Sequence, residues 1–261
     1  MKRGEIAHSV SRGAFYLAIE KVVALVSGLL YFALLLRWLG PTKYGIMTLA
    51  LSFVGLATMA NGNAEVYLER YAAQYQAQGL LGTLRRAHLL ALSVKTLLGI
   101  VAALVLVALA PSIAHQFDIP ELATLLPPLG ALVLTDGFAT TARATLYGLQ
   151  SFRWVSGLAI VFHVAKTIMV GALWGAHQGL PQLAIGLAAL SLVQGVGASL
   201  VPLALLRHAR DREGAPARSG DLAREMAGYC VPLLGARAAF LSGQNLSKVV
   251  LGKLFGLADL G

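Results

Sequence analysis

Several long apolar runs of this sequence contain ionisable residues, and their spacing gathers them onto single helix faces. In the run around residues 122–149, Asp136, Thr140, Arg143 and Tyr147 fall at i, i+4, i+7 and i+11, one polar stripe along a helix. Near the start of the first run stands Glu20-Lys21, with Lys21 on the face of Ala24, Gly28 and Tyr31. His163 and Lys166 lie one turn apart in the fifth run, and Arg237, Gln244 and Lys248 share a face in the seventh. A charge at the centre of a bilayer costs about 2.5–3.5 kcal/mol even on lenient insertion scales, so each such residue is a functional candidate by default. Lys21, Arg143, Lys166, Arg237, Lys248 and Gln244 are the candidates for binding an anionic group in a central cavity. Arg forks and Lys point charges are natural ligands of phosphate and carboxylate. Glu20 and Asp136 are the candidates for binding a coupling ion or balancing that charge.

Plainer readings stand beside these. Asp136 and Arg143 can neutralise each other, or Asp136 can pair with Lys166 to hold helices together. Lys248 and Lys253 can snorkel to an interface. His163 alone reads more readily as a buried hydrogen-bonding residue than as a ligand, and Asn61 and Asn63 as a helix break.

The elements that position these residues are membrane helices. Hydrophobic residues make up 57% of the 261 and charged residues only 13%, against about 25% in a soluble domain, with a mean hydropathy of +0.71. Spans are predicted at about 14–37, 44–60, 88–110, 122–149, 154–174 and 183–206, where roughly 20 residues are needed to cross about 30 Å of hydrocarbon. A seventh apolar segment begins near Ala227. The first run stops at Arg37-Trp38-Leu39-Gly40-Pro41, and Pro111 is expected to end the third. Between the second and third spans, AEVYLERYAAQYQAQG reads as a polar helix. Its Tyr67, Tyr71 and Tyr75 share one face and are expected to form an aromatic belt at the bilayer surface.

A net charge of +9 would raise nucleic acid as a partner in a soluble protein, but here the basic residues sit between apolar runs. One set of connections holds Lys2, Arg3, Arg12, Arg70, Arg85, Arg86, Arg153, Arg207, Arg210, Arg212, Arg218 and Arg224. The alternate set holds only Arg37 and Lys43. That asymmetry places the N-terminus in the cytoplasm. A single cysteine, Cys230, excludes an internal disulfide and a multi-cysteine metal site. No phosphate-cradling glycine loop or Ser-His-Asp candidate appears, and no cofactor is expected.

The seventh segment repeats the first at an offset of 216 residues. RWLGPTKYG (37–45) lies on KLFGLADLG (253–261), and Lys21 falls on Arg237. Internal repeats of this kind are a transporter signature, with the substrate site between the halves. The expected organisation is a six-helix lobe over 1–207, a cytoplasmic basic loop over 208–225, and the opening helix of a second lobe over 226–261. Five further spans are then expected beyond Gly261.

With these features in place, the chain resembles the polysaccharide (O-antigen type) flippases, relatives of the multidrug and toxic-compound extrusion transporters and the lipid II flippases. The resemblance is carried by LRWLGPTKYG (36–45), Glu69-Arg70-Tyr71, YGLQSFR (147–153), and Tyr229…Pro232 leading to KVVLG (248–252). It implies an all-α, polytopic bundle in the bacterial inner membrane, of two six-helix lobes that open alternately to either side. The implied cargo is a lipid-linked oligosaccharide of the undecaprenyl-pyrophosphate type, with glycan polymerase and ligase machinery as protein partners. A cation-coupled multidrug exporter is the alternative within the superfamily. A polytopic glycan ligase or polymerase is the alternative among enzymes, and the short outer connectors, with only His115, Asp118, Glu121 and His177, speak against it.

Overall fold

The structure, a computed structural model, describes residues 3–209, 220–233 and 235, with side chains from Arg12 onward. The described chain is helical throughout: α1 (Arg3–Thr58), a 3-10 turn (Met59–Asn61), α2 (Ala64–Ala77), α3 (Leu81–Phe117), α4 (Glu121–Gly148), α5 (Phe152–Gly175), α6 (Leu180–Leu205) and a helix over 220–233. Among the described residues, five helical stretches are long and apolar enough to cross a membrane. The first of these, Arg12–Asn61, comprises 50 residues and carries two of the predicted spans.

The junction of those two spans is a single residue. Gly40 takes φ 71° and ψ 171°, and the helix resumes at Pro41. Glycine alone adopts that backbone without strain, and proline suits the first turn that follows. In an unbroken helix, Phe32 and Tyr44 would stand about 18 Å apart along the axis. Their rings lie 5.5 Å apart, so the chain bends sharply at Gly40.

The third span is longer than predicted. α3 runs through Pro111 to Phe117, because Ala110 and Ala114 are buried on either side of the proline and packing carries the helix past the lost hydrogen bond. Its end is made by Asp118 at φ 54°, where Ile119 N donates back to Ala114 O. The same left-handed closure recurs at Gly79, Gln150 and His177, followed by Leu80 N to Tyr75 O, Ser151 N to Leu146 O and Gln178 N to Leu173 O. Each repeats the backbone pattern that caps a helix and reverses the chain within a few residues.

α4 is the central helix and touches α1, α2, α3, α5 and α6. Small residues let its neighbours approach. A Cβ on Gly148 would stand 2.1 Å from the Ala72 Cβ of α2, so α2 and α4 cross nearly backbone to backbone. One apolar core gathers Leu35, Met47, Leu49, Leu122, Leu126, Leu129 and Leu183. A second gathers Leu68, Ala72, Leu84 and Ala91 with Leu222, Met226 and Cys230 of the 220–233 helix. Outside these, Leu97, Leu104, Val161, Ile168 and Val193 are each more than 60% exposed, a surface that suits lipid rather than water.

The tyrosine belt is not what forms. Tyr67 is fully buried and Tyr75 nearly so, with their hydroxyls 2.6 Å apart. Tyr71 and Tyr229 pack edge-on at 5.8 Å, and the Arg70 guanidinium lies 5.1 Å over the Tyr229 ring. The tyrosine face of α2 is an internal seam, because α3, α4 and the 220–233 helix cover it and leave Glu69, Arg70, Ala73 and Gln74 exposed. Burial, and then the bond to Tyr75, push the Tyr67 phenol well above its ordinary range.

Candidate functional site

α1, α4, α5 and α6 enclose a cavity of about 230 Å³ whose polar wall is Glu20, Asp136, Thr140, Arg143, His163 and Gln194. Phe162, Leu146, Val155 and Leu158 complete it. A second cavity of about 300 Å³ adjoins it between α1, α4 and α6, sharing Asp136, Ala139 and Gln194 and adding Thr58, Thr135 and Ser191. Asp136, Thr140 and Arg143 of the α4 stripe therefore line the first cavity, and Asp136 and Gln194 line both.

The Glu20-Lys21 pair divides its labour in a way that periodicity alone does not specify. Glu20 is 4% exposed and turns into the cavity, whereas the Lys21 side chain is 73% exposed on the outside of α1. Lys21 Nζ reaches Glu20 Oε1 at 3.3 Å, and Glu20 Oε2 is buried without a hydrogen-bond partner among the described residues. Lys166 likewise stays out of the cavity. Its ammonium lies 4.3 Å over the Tyr31 ring, at the packing of α5 on α1, a cation–π contact that holds a lysine inside an apolar interface. His163, like Arg143, lines the cavity.

Glu20, Asp136 and Arg143 thus line one cavity, whereas Lys166 and Lys21, which pairs with Glu20 from the outside of α1, are not part of its lining. Arg237, Gln244 and Lys248, and the repeat onto residues 253–261, lie outside the described residues. The lining of this cavity within the first lobe carries one guanidinium against two carboxylates.

Two charged residues that sequence reasoning passed over are buried at least as deeply as Glu20. Lys95 is 1% and Glu65 4% exposed, and Lys95 Nζ lies 2.6 Å from Glu65 Oε2. The same ammonium donates to Thr140 Oγ1 of the cavity wall at 2.7 Å. Lys95 is the only Asp, Glu, Lys or Arg between residues 87 and 117, and that isolation in an apolar run was the available signal. Nearby, buried His88 Nδ1 pairs with Thr145 Oγ1 at 2.8 Å, and Asn61 Nδ2 donates to Val133 O at 2.6 Å. Asn61 therefore ties the end of the second span to α4.

The profile of the polysaccharide biosynthesis protein family matches residues 10–261, almost the whole chain. The chain belongs to that family. Its flippase-type members are membrane transporters rather than enzymes, so this polysaccharide biosynthesis protein is a multi-pass membrane protein of the transporter kind. No curated protein and no solved structure matches it.

Proposed function

We propose that this protein carries a lipid-linked oligosaccharide, of the undecaprenyl-pyrophosphate type, across the bacterial inner membrane for surface polysaccharide synthesis. The observation that carries this reading is the cleft that joins Arg143 to Glu20 and Asp136 inside a membrane lobe. Arg143 is a fork for phosphate or an acidic sugar. The carboxylates and Gln194 are acceptors for sugar hydroxyls, and Phe162 offers an apolar face for a ring. A cavity of one sign would hold an anion but would discriminate little among glycans; a mixed lining supplies both contacts.

Transport by alternating access follows if the lobe over 1–207 works against a second lobe opening at 226–261, with 208–225 as the basic cytoplasmic loop. The basic connections put the N-terminus in the cytoplasm, where such a cargo is made. Polymerase and ligase machinery would then receive the cargo on the far side. Glu20, one oxygen of which is buried without a hydrogen-bond partner among the described residues, also supports a coupled cation, and that feature keeps a cation-coupled drug exporter as the second reading.

Reconstitution distinguishes the two. Purified protein in liposomes is expected to move a fluorescent lipid-pyrophosphate oligosaccharide from the inner to the outer leaflet, and to leave lipophilic cationic dyes where they are. Dye export without glycan movement would favour the exporter.

A further inference from the structure

Lys95 is too deeply buried to touch a cargo, yet its ammonium is two hydrogen bonds from the backbone of Asp136. Held by Glu65 at 2.6 Å, it donates to Thr140 Oγ1, and Thr140 donates in turn to the Asp136 carbonyl oxygen at 2.7 Å. The lysine stem passes closely across α4 because residue 137 has no side chain. A Cβ on Gly137 would stand 3.1 Å from the Lys95 Cβ, tighter than nearly all such contacts.

A buried ion pair is commonly replaceable by packed apolar residues without loss of stability, so folding alone gives little reason to keep one here. We propose that Glu65 and Lys95 are positioning residues: the pair orients the Thr140 hydroxyl, and through it the stretch of α4 that presents Asp136 and Arg143 to the cleft. The polarity of the chain is the working part. With an ammonium as donor, the Thr140 oxygen accepts and its own proton is committed to the Asp136 carbonyl. A carboxylate at position 95 would take that proton instead and leave the carbonyl without it. This inference rests on the flippase reading of the cleft.

The test uses two double variants in the host, each expressed from the full gene. Glu65→Lys with Lys95→Glu keeps an ion pair but reverses its polarity toward Thr140. Glu65→Gln with Lys95→Met removes both charges at similar volume. Both are expected to reach the membrane at wild-type level while export of surface polysaccharide falls at least tenfold. A purely structural pair would be rescued by the exchange, so export within twofold of wild type for either variant, at matched protein level, overturns the inference. Absence of both variants from the membrane also overturns it, because the pair is then a folding element. Arg143→Ala in the same strain separates the two claims. If it exports normally, the cleft is not the cargo site; if it loses export while the double variants export normally, only the positioning role falls.

Discussion

Lys95 of α3 and Glu65 of α2 form an ion pair 2.6 Å long, the two side chains 1% and 5% exposed. Removing one partner strands the other as a buried charge, at a cost of about 3–5 kcal/mol. Glu65→Ala and Lys95→Ala are each expected to lower the thermal midpoint in detergent markedly and to reduce the amount in membranes. The double variant Glu65→Gln with Lys95→Met is expected to regain most of that stability. A double variant no more stable than the single ones would contradict the pairing.

The crossing of α2 on α4 leaves no room at residue 148. Gly148→Ala places a Cβ 2.1 Å from that of Ala72, so the helices must part, at a cost of about 1–3 kcal/mol for an overpacked contact. Thermal unfolding followed by tryptophan fluorescence should show the loss. Gly157→Ala, where nothing lies within 4 Å of the added carbon, is the matched control.

Tyr67 and Tyr75 lie on α2, outside the spanning helices, and burial raises the pKa of both above the ordinary value of about 10. The folded state therefore favours the neutral phenols. Their contribution to stability is complete below the unfolded pKa and is lost as pH rises beyond it. Absorbance titration at 295 nm is expected to show these two phenolates appearing only with unfolding. Phenolate formation by all eight tyrosines near pH 10 in folded protein would contradict the buried seam.

Much of this architecture was legible from hydropathy alone, because a bilayer imposes length and composition on every span. The stripe of Asp136, Thr140 and Arg143 was legible too, since spacing on a helix fixes which residues share a face. What spacing does not reveal is which face meets which neighbour. Glu20 and Lys21 are adjacent in sequence and point to opposite environments, and only packing against α4 and α5 decides that the carboxylate goes in. The tyrosines misled for the same reason: an aromatic stripe suits a lipid interface and a helix seam equally. Pro111 misled because local propensity gave way to burial around it.

The contacts also sort the helix ends. Arg85 at the start of α3 donates to the Arg207 carbonyl beyond α6 at 3.4 Å, and Arg37 of α1 lies 5.8 Å over the Trp174 ring near the end of α5. With the arginine-rich end taken as cytoplasmic, a cysteine placed at Arg207 in a Cys230→Ala background should resist an impermeant maleimide in intact cells. One placed at His177 should react. The reverse pattern would invert the topology.

The proposed transport places the cargo in the cleft around Arg143. The most direct measurement is surface polysaccharide from cells in which the gene carries Arg143→Ala, compared with wild type at equal membrane level of the protein. The account predicts loss of at least tenfold, with lipid-linked oligosaccharide accumulating inside and partial recovery in Arg143→Lys. Undiminished surface polysaccharide from Arg143→Ala would contradict it.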